Sequence, residues 1–313
     1  MTNTKVKKTA LDRKLDKIRA AEESGRLGAK MTNRTLRKLT SNKLALCGVL
    51  LFVVICVLCF GAPLFTQYSP MAFDLRAKMS APSSAHLLGT DQMGRDIWTR
   101  ILYGGRISII VGLGSALGAA LLGVTLGLYV GYKGGILDSL LIQISDIFQS
   151  IPQMVLIIII VALVGQSMEN LIIIFILTGW PGMYRMARSK VLSLKQQEFV
   201  QALRAFGISD VKIAFKHLLP NAMGPVVVNI TLSTAMFILQ EAALSVLGYG
   251  VPMEIATWGN IINVITNGGT IRFDWLQYWW MWLPCSIMLI LFVLSINFIG
   301  DGLRDASDPT QIG

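Results

Sequence analysis

Charge is scarce in this chain. Only 15% of its 313 residues are Asp, Glu, Lys or Arg, 53% are hydrophobic, and the mean hydropathy is +0.59, far above that of an ordinary water-soluble domain. The apolar residues gather into runs long enough to cross a hydrocarbon core of roughly 30 Å, which takes about 20 helical residues, so a merely apolar soluble core is excluded. Histidine occurs twice, at His86 and His217, in segments that the predicted topology places on opposite sides of the membrane, which argues against a membrane enzyme built on them. No GxxxxGK[ST] phosphate loop occurs anywhere, so the chain has no nucleotide site of that kind and is not expected to be an enzyme itself. The four cysteines, Cys47, Cys56, Cys59 and Cys285, all lie in or beside apolar runs, unlike a secreted disulfide framework. Cys56 and Cys59 have CxxC spacing, but they fall mid-span without a second Cys or His pair, and no metal site is assigned.

What is present is a series of apolar runs near residues 44–66, 107–131, 138–164, 170–187, 223–248 and 283–300. They predict an all-α integral membrane protein with six transmembrane helices. The aromatic cluster Trp275, Tyr278, Trp279, Trp280 and Trp282 reads as interfacial, and the 258–282 region is left outside the spans, an extra short helix there being the alternative. The net charge of +10 would suggest nucleic acid in a soluble protein; here the basic residues follow the spans, and no nucleic-acid partner is expected. With the N-terminus in the cytoplasm, 22 of the 28 Lys and Arg residues fall on the cytoplasmic side and six outside. The positive-inside rule therefore predicts both termini in the cytoplasm of a multi-pass cell-membrane protein.

The first 43 residues are too long and too charged for a signal peptide, and the following run is too long for its core. Leu11, Leu15 and Ile18 recur at helical spacing, which reads either as a short amphipathic helix or as a solvated basic tail that only fixes topology. The chain thus divides into a basic tail (1–43), a first span with its outer loop (44–106), a core (107–303) and a C-terminal tail (304–313).

Polar residues inside the runs are the candidates for function, because an ionisable group in lipid is costly unless it faces protein or water. The second run carries Gly114, Gly118, Gly123, Gly127 and Gly131, three GxxxG pairs that predict close helix packing. In the third, Asp146 and Gln149 precede Pro152; Asp146 either serves a pathway or pairs locally with Arg185 or Arg188. In the fifth, Asn229, Gln240 and Glu241 either line a pathway or hydrogen-bond between helices.

Residues 195–221 form a polar stretch between two runs and read as helix, turn, helix. Phe199, Ala202, Leu203 and Phe206 share one face, Gly207 ends the first helix in a left-handed conformation, and Ser209 caps the second. Asp210 sits at its positive end, Lys216 and His217 at its negative end, and Pro220 stops it. An apolar face on such a loop calls for a protein partner, packing back onto its own span ends being the alternative.

The stretch QALRAFG at 201–207, followed by HLLPN at 217–221, resembles the EAA loop of the membrane subunits of ATP-binding-cassette importers, in the dipeptide, oligopeptide and nickel branch. Gln201 stands where the family usually has an acidic residue, and Leu203 where it has alanine. Further matches are LGTDQMGRD at 88–96, GWP at 179–181, EAALSVLGYG at 241–250, WGN at 258–260 and GDGLRDASDP at 300–309, so the likeness runs from about residue 35 to the C-terminus. It implies a type I importer permease fold, of the second or C-type permease. It also implies a coupling helix contacting the ATPase through Glu198, Phe199, Ala202, Leu203, Phe206, Gly207, Ser209, Asp210 and Pro220. The partners implied are a second homologous permease, two ATP-binding subunits, an extracytoplasmic substrate-binding protein and the lipid bilayer. No cofactor is expected on this chain, ATP and Mg being used by the partner subunits. Peptides are the expected substrate, since the polar candidates include no His or Cys cluster suited to a bare nickel ion. A nickel or metallophore importer and an ion-gradient-driven secondary transporter are the alternatives; the latter would make Asp146 and Glu241 ion sites and would be supported by inverted repeats.

Overall fold

A computed structural model describes residues 42–263 and 276–307. The basic tail with its Leu11, Leu15 and Ile18 pattern, Arg272, Trp275 and the last six residues lie outside them. Helix α1 (Lys43–Phe60) starts under Asn42, whose side chain accepts from the amides of Leu44 and Ala45. An irregular segment with one tight turn at Leu75–Ala77 leads to α2 (Ile97–Lys133). Asp96 caps α2 by accepting from the Thr99 amide at 2.8 Å, and Gly134 and Gly135, both at positive φ, end it. Then follow α3 (Ile136–Ser150), α4 (Gln153–Val164), α5 (Met168–Lys195), the short α6 (Glu198–Ala205), α7 (Asp210–Val246), the short α8 (Trp258–Asn263) and α9 (Leu283–Ser307). Among the described residues, the only strand-like pairing is an isolated bridge between Thr90 and Asp96.

By length and apolarity, α1, α2, α7 and the helix containing α9 can each cross a membrane, and α3 with α4 makes a fifth if the pair is one broken span. This is fewer than the six straight spans expected. The run 138–164 is not one helix: it turns through 91° between α3 and α4. Pro152 is the cause, since it has no amide hydrogen and disfavours helical backbone at Ile151. The run 170–187 lies in α5, which is long enough at 28 residues but brings Glu169, Arg185 and Arg188 close to its apolar stretch. In the 258–282 region the extra-helix alternative is partly realised: α8 occupies Trp258–Asn263, and Trp258 is fully buried.

Three buried clusters hold the helices together, and α2 contributes to each. Ile101 joins Cys59, Ile238, Trp258 and Phe292 of α1, α7, α8 and α9. Leu128 and Tyr132 join Ala187, Val200 and Leu218 of α5, α6 and α7. Ala119 joins Ile157, Phe175 and Phe237 of α4, α5 and α7. Lipid is as apolar as Leu, so these contacts stabilise the bundle through packing more than through escape from solvent. In the α2–α5 contact the backbones themselves approach. A Cβ at Gly123 would lie 2.6 Å from Met183 Cβ, one at Gly127 2.7 Å from the Tyr184 carbonyl oxygen, and one at Gly131 2.9 Å from Arg188 Cγ. The predicted role of the glycines holds for this face; Gly114, by contrast, meets nothing.

Gly127→Val is therefore expected to force α2 and α5 apart and destabilise the folded subunit by about 1–3 kcal/mol. Thermal melting in detergent should show a lowered midpoint, whereas Gly114→Ala should leave it within error.

Candidate functional site

The segment between α5 and α7 forms an elbow whose geometry follows from a few residues. Helix α6 ends in a paired closure: the Gly207 amide donates to the Arg204 carbonyl at 2.9 Å and the Ile208 amide to the Leu203 carbonyl at 3.2 Å. That closure needs a left-handed residue at Gly207, whose φ is +72°, and a contact between the side chains flanking it. Leu203 and Ile208 both pack on the same buried cluster.

Two features differ from the sequence reading. Ser209 stands at the helix start but makes no side-chain cap. Pro220 does not stop the second helix, because Ile213–Leu218 widens into a π turn and the helix continues through Leu219. The wider turn gives room for the proline ring, which would otherwise crowd the carbonyl four residues back. Asn221 Nδ2 donates to the His217 carbonyl at 2.7 Å.

The four-residue apolar face is also divided. Phe199 is 39% exposed and Phe206 80% exposed, with the exposed Ala202 on the same helix; Val211, 52% exposed, lies beside Thr125, Leu126 and Tyr129 of α2. Leu203 turns inward, beside the fully buried Val200. Glu198 and Asp210 are exposed in the first turns of their helices. The elbow thus presents a small apolar tip while a second face packs on the bundle.

Tyr132, in the last turn of α2, holds that second face. Arg204 Nε donates to its hydroxyl at 2.7 Å and stacks its guanidinium 4.8 Å from the ring centre. Lys195 Nζ donates to the Tyr132 carbonyl at 2.7 Å, a cation at the negative end of α2. One turn away, Arg188 forks onto Asp138 with both contacts at 2.7 Å, and the Tyr184 hydroxyl donates to the same carboxylate at 2.8 Å. Sequence reasoning missed Tyr132, Arg204, Asp138, Tyr184 and the Arg188 pairing. A tyrosine closing a long apolar run was the available signal; its partners lie more than 60 residues away along the chain.

The candidate pathway residues do not form one group. Asp146 pairs with Arg185, which also donates to Ser145 Oγ at 2.9 Å, the local pairing weighed in the sequence. Gln149 is exposed at the end of α3. Asn229 Nδ2 donates to the Pro225 carbonyl of its own helix at 3.0 Å. Gln240 Nε2 donates to Gln153 Oε1 at 3.1 Å. Glu241 is 0% exposed and accepts from Ser108 Oγ at 3.2 Å and Ser245 Oγ at 3.0 Å. Ser108 Oγ in turn accepts from the Trp258 amide at 3.1 Å, so within this subunit Glu241 binds α2, α7 and α8 together.

The remaining motifs build the far end of the bundle. Asp91 accepts from the amides of Met93 and Arg95 and from Arg95 Nε, at 2.7–2.9 Å. Asp96 accepts from His86 Nδ1 at 2.9 Å as well as capping α2. Asn260 Nδ2 reaches the carbonyls of Val251, Pro252 and Ile255 at 2.9–3.0 Å, and Gly259 lets α8 lie against Ala242 of α7.

A helical membrane bundle with one clamped, apolar-tipped elbow is the architecture of a transport permease. Residues 123–312 match the family described as the binding-protein-dependent transport system inner membrane component, and residues 30–82 match the N-terminal transmembrane domain of oligopeptide transport permease C. The chain is 39% identical to the dipeptide transport system permease protein DppC of Alkalihalophilus pseudofirmus, over 87% of this chain and 88% of the relative. It is 35% identical to the oligopeptide transport system permease protein OppC of Bacillus subtilis, over 92% and 93%. Among solved structures it resembles a chain of the inward-facing MetNI methionine ABC transporter, with a TM-score of 0.52 and 22% identity over 66% of this chain and 96% of that one, a likeness of fold. The chain belongs to the binding-protein-dependent transport system inner membrane component family, a family of transport permeases.

Tyr132→Phe removes the acceptor for Arg204 and keeps the ring. Losing one charge-assisted hydrogen bond, about 1.5–3 kcal/mol, should raise amide hydrogen exchange across Glu198–Ala205 by tenfold or more. Exchange in the middle of α2 should stay as it was, and Phe206→Ala, on an exposed side chain, should leave both unchanged.

Proposed function

We propose that this chain is one of two permease subunits that together form the translocation pathway of an ATP-driven importer for di- and oligopeptides, working by alternating access. The observation that carries the reading is the elbow: an exposed apolar tip at Phe199 and Phe206, tied through Arg204 to the end of a helix that runs the length of the bundle. Apolar side chains held out on a polar, rigidly closed turn suit a partner's groove. The dipeptide and oligopeptide names of relatives 35–39% identical over most of both chains support peptides as the substrate.

In this reading α6 is the coupling helix. Glu198, Phe199, Ala202, Phe206, Gly207 and Asp210 face an ATP-binding subunit, with Leu203, Ser209 and Pro220 shaping the elbow from behind. Two such ATP-binding subunits use ATP and Mg, and closing on ATP they move α6. Because Arg204 and Lys195 clasp Tyr132, displacement of α6 passes to α2, and through the glycine contact to α5, as a rigid-body motion. The partner's two states must hold α6 in different positions for work to be transmitted. A second homologous permease completes the pathway, and an extracytoplasmic binding protein delivers the peptide. The membrane-crossing set is completed to six by α5 and by α3 with α4, with both termini in the cytoplasm, the side to which the basic residues point.

The test is purification of the whole complex in mild detergent, with ATP hydrolysis assayed after addition of a peptide-loaded binding protein. Recovery of two ATP-binding subunits and a second permease, with stimulated hydrolysis, is expected; a lone chain that transports only under an ion gradient would refute the proposal. Gly207→Asp adds a charge beside the tip and should abolish copurification of the ATP-binding subunits while membrane insertion stays normal, and Gly207→Asn, uncharged and tolerant of the same backbone, should retain more of them.

A further inference from the structure

Helix α4 begins in the middle of the bundle. The chain leaves α3 at Ser150, turns through 91° at Ile151 and Pro152, and restarts at Gln153. The 12 residues of α4 rise about 18 Å to the end of the bundle opposite the elbow. There Gln166 Nε2 donates to the Gly248 carbonyl and so ties the ends of α4 and α7 at one level. Gln240 lies eight residues before Gly248, about 12 Å back along α7. Both depths fall near the middle of a hydrocarbon core of roughly 30 Å.

At that depth the two glutamines meet: Gln240 Nε2 donates to Gln153 Oε1 at 3.1 Å. Gln240 Oε1 is buried and has no hydrogen-bond partner among the described residues, and Gln153, having used its oxygen, keeps its amide hydrogens for another acceptor. One acceptor and one donor are thus unspent side by side. Exchanging nitrogen and oxygen in both amides leaves the same complement. Both glutamines are partly exposed, and Met236, one turn before Gln240 on α7, is exposed in the subunit, so the pair borders an uncovered face. An amide group left without a partner and away from water costs several kcal/mol, and such a pair belongs against water, a partner or a cargo.

We infer that Gln153 and Gln240 form a contact site for the peptide group of the cargo, Gln240 Oε1 accepting from its N–H and Gln153 Nε2 donating to its carbonyl. A peptide group offers one donor and one acceptor whatever the side chains around it, so this pair reads the backbone and tolerates varied sequences. The inference rests on the importer reading and adds to it a residue-level site for the substrate class. Polar groups near the midplane, at a helix that restarts there, are placed where a passing solute can reach them.

The experiment uses the complete importer in proteoliposomes, with Gln153→Met and Gln240→Met, which keep side-chain length and remove the amide. Uptake per ATP hydrolysed is measured for an unmodified tripeptide and for its backbone N-methylated analogue, each supplied on saturating binding protein. The wild-type importer should prefer the unmodified peptide. Gln240→Met, which removes the acceptor for the peptide N–H, should reduce that preference by about fivefold to tenfold, the effect of one buried hydrogen bond. Gln153→Met, which removes the donor to the carbonyl that N-methylation leaves in place, should lower uptake of both peptides by a similar factor. An unchanged preference in Gln240→Met, or unchanged uptake in Gln153→Met, would overturn the inference, as would loss of the second permease from either purified variant, which would assign the pair to the subunit interface. Absence of any peptide uptake by the wild-type importer would instead mark failure of the importer reading, on which the inference depends.

Discussion

Everything else in the subunit is positioned by the backbone contact between α2 and α5. Gly123, Gly127 and Gly131 bring α2 against the main chain of Trp180, Tyr184 and Arg188, closer than any side chain allows. With no hydrophobic drive between helices in lipid, this dispersion contact together with buried polar bonds has to hold the pair. It also fixes the ends. Where the stripe stops at Gly131, Tyr132 receives Lys195 and Arg204 from the elbow, and Arg188, against which Gly131 packs, receives Asp138 from α3. A side chain in the stripe would displace the anchor of the elbow as well as the helix.

That anchoring explains how a subunit lacking a phosphate loop could be driven from outside. A lever transmits motion only if its attachment is stiffer than its load. α6 is stiffened by its paired closure at Gly207 and by Val200 and Leu203 packed beneath it. The tip carrying Phe206 makes little contribution to the fold because it is exposed, which leaves it available to a partner. Glu241, which only the secondary-transporter alternative would make an ion site, is enclosed by hydroxyls at the other end of the bundle, where it holds α2, α7 and α8 as one body.

The helical class, the glycine packing face and the elbow with its glycine turn were legible in the sequence because each depends on local spacing, and the family was legible through the resemblance of its motifs. The apolar runs followed from length and hydropathy, and Gly207 from the turn chemistry a short helix requires. What was not legible depends on contacts between distant residues. Asp138 on Arg188 and Tyr132 on Arg204 join residues 50 and 72 apart, and no periodicity predicts them. The inward turn of Leu203 could not be separated from the exposure of Phe199 and Phe206 by spacing alone, since all three fall on one helical arc and only the position of α2 decides which part of it is covered.

Proline was read for what it forbids, and its two positions show how much the surroundings decide. Pro152 breaks the backbone between α3 and α4 and turns it by 91°, whereas Pro220 is absorbed without a break because the π turn at Ile213–Leu218 precedes it. In water either solution could leave spare carbonyls hydrated; within lipid a freed backbone group must find protein or a wet cavity. The tolerated break at Pro152 therefore implies that the 149–153 region faces something other than hydrocarbon, and Gln153 and its partner Gln240 are side chains such a setting can accommodate. The continuous helix at Pro220 does the opposite: it makes the second arm of the elbow part of α7, one rod from Asp210 to Val246.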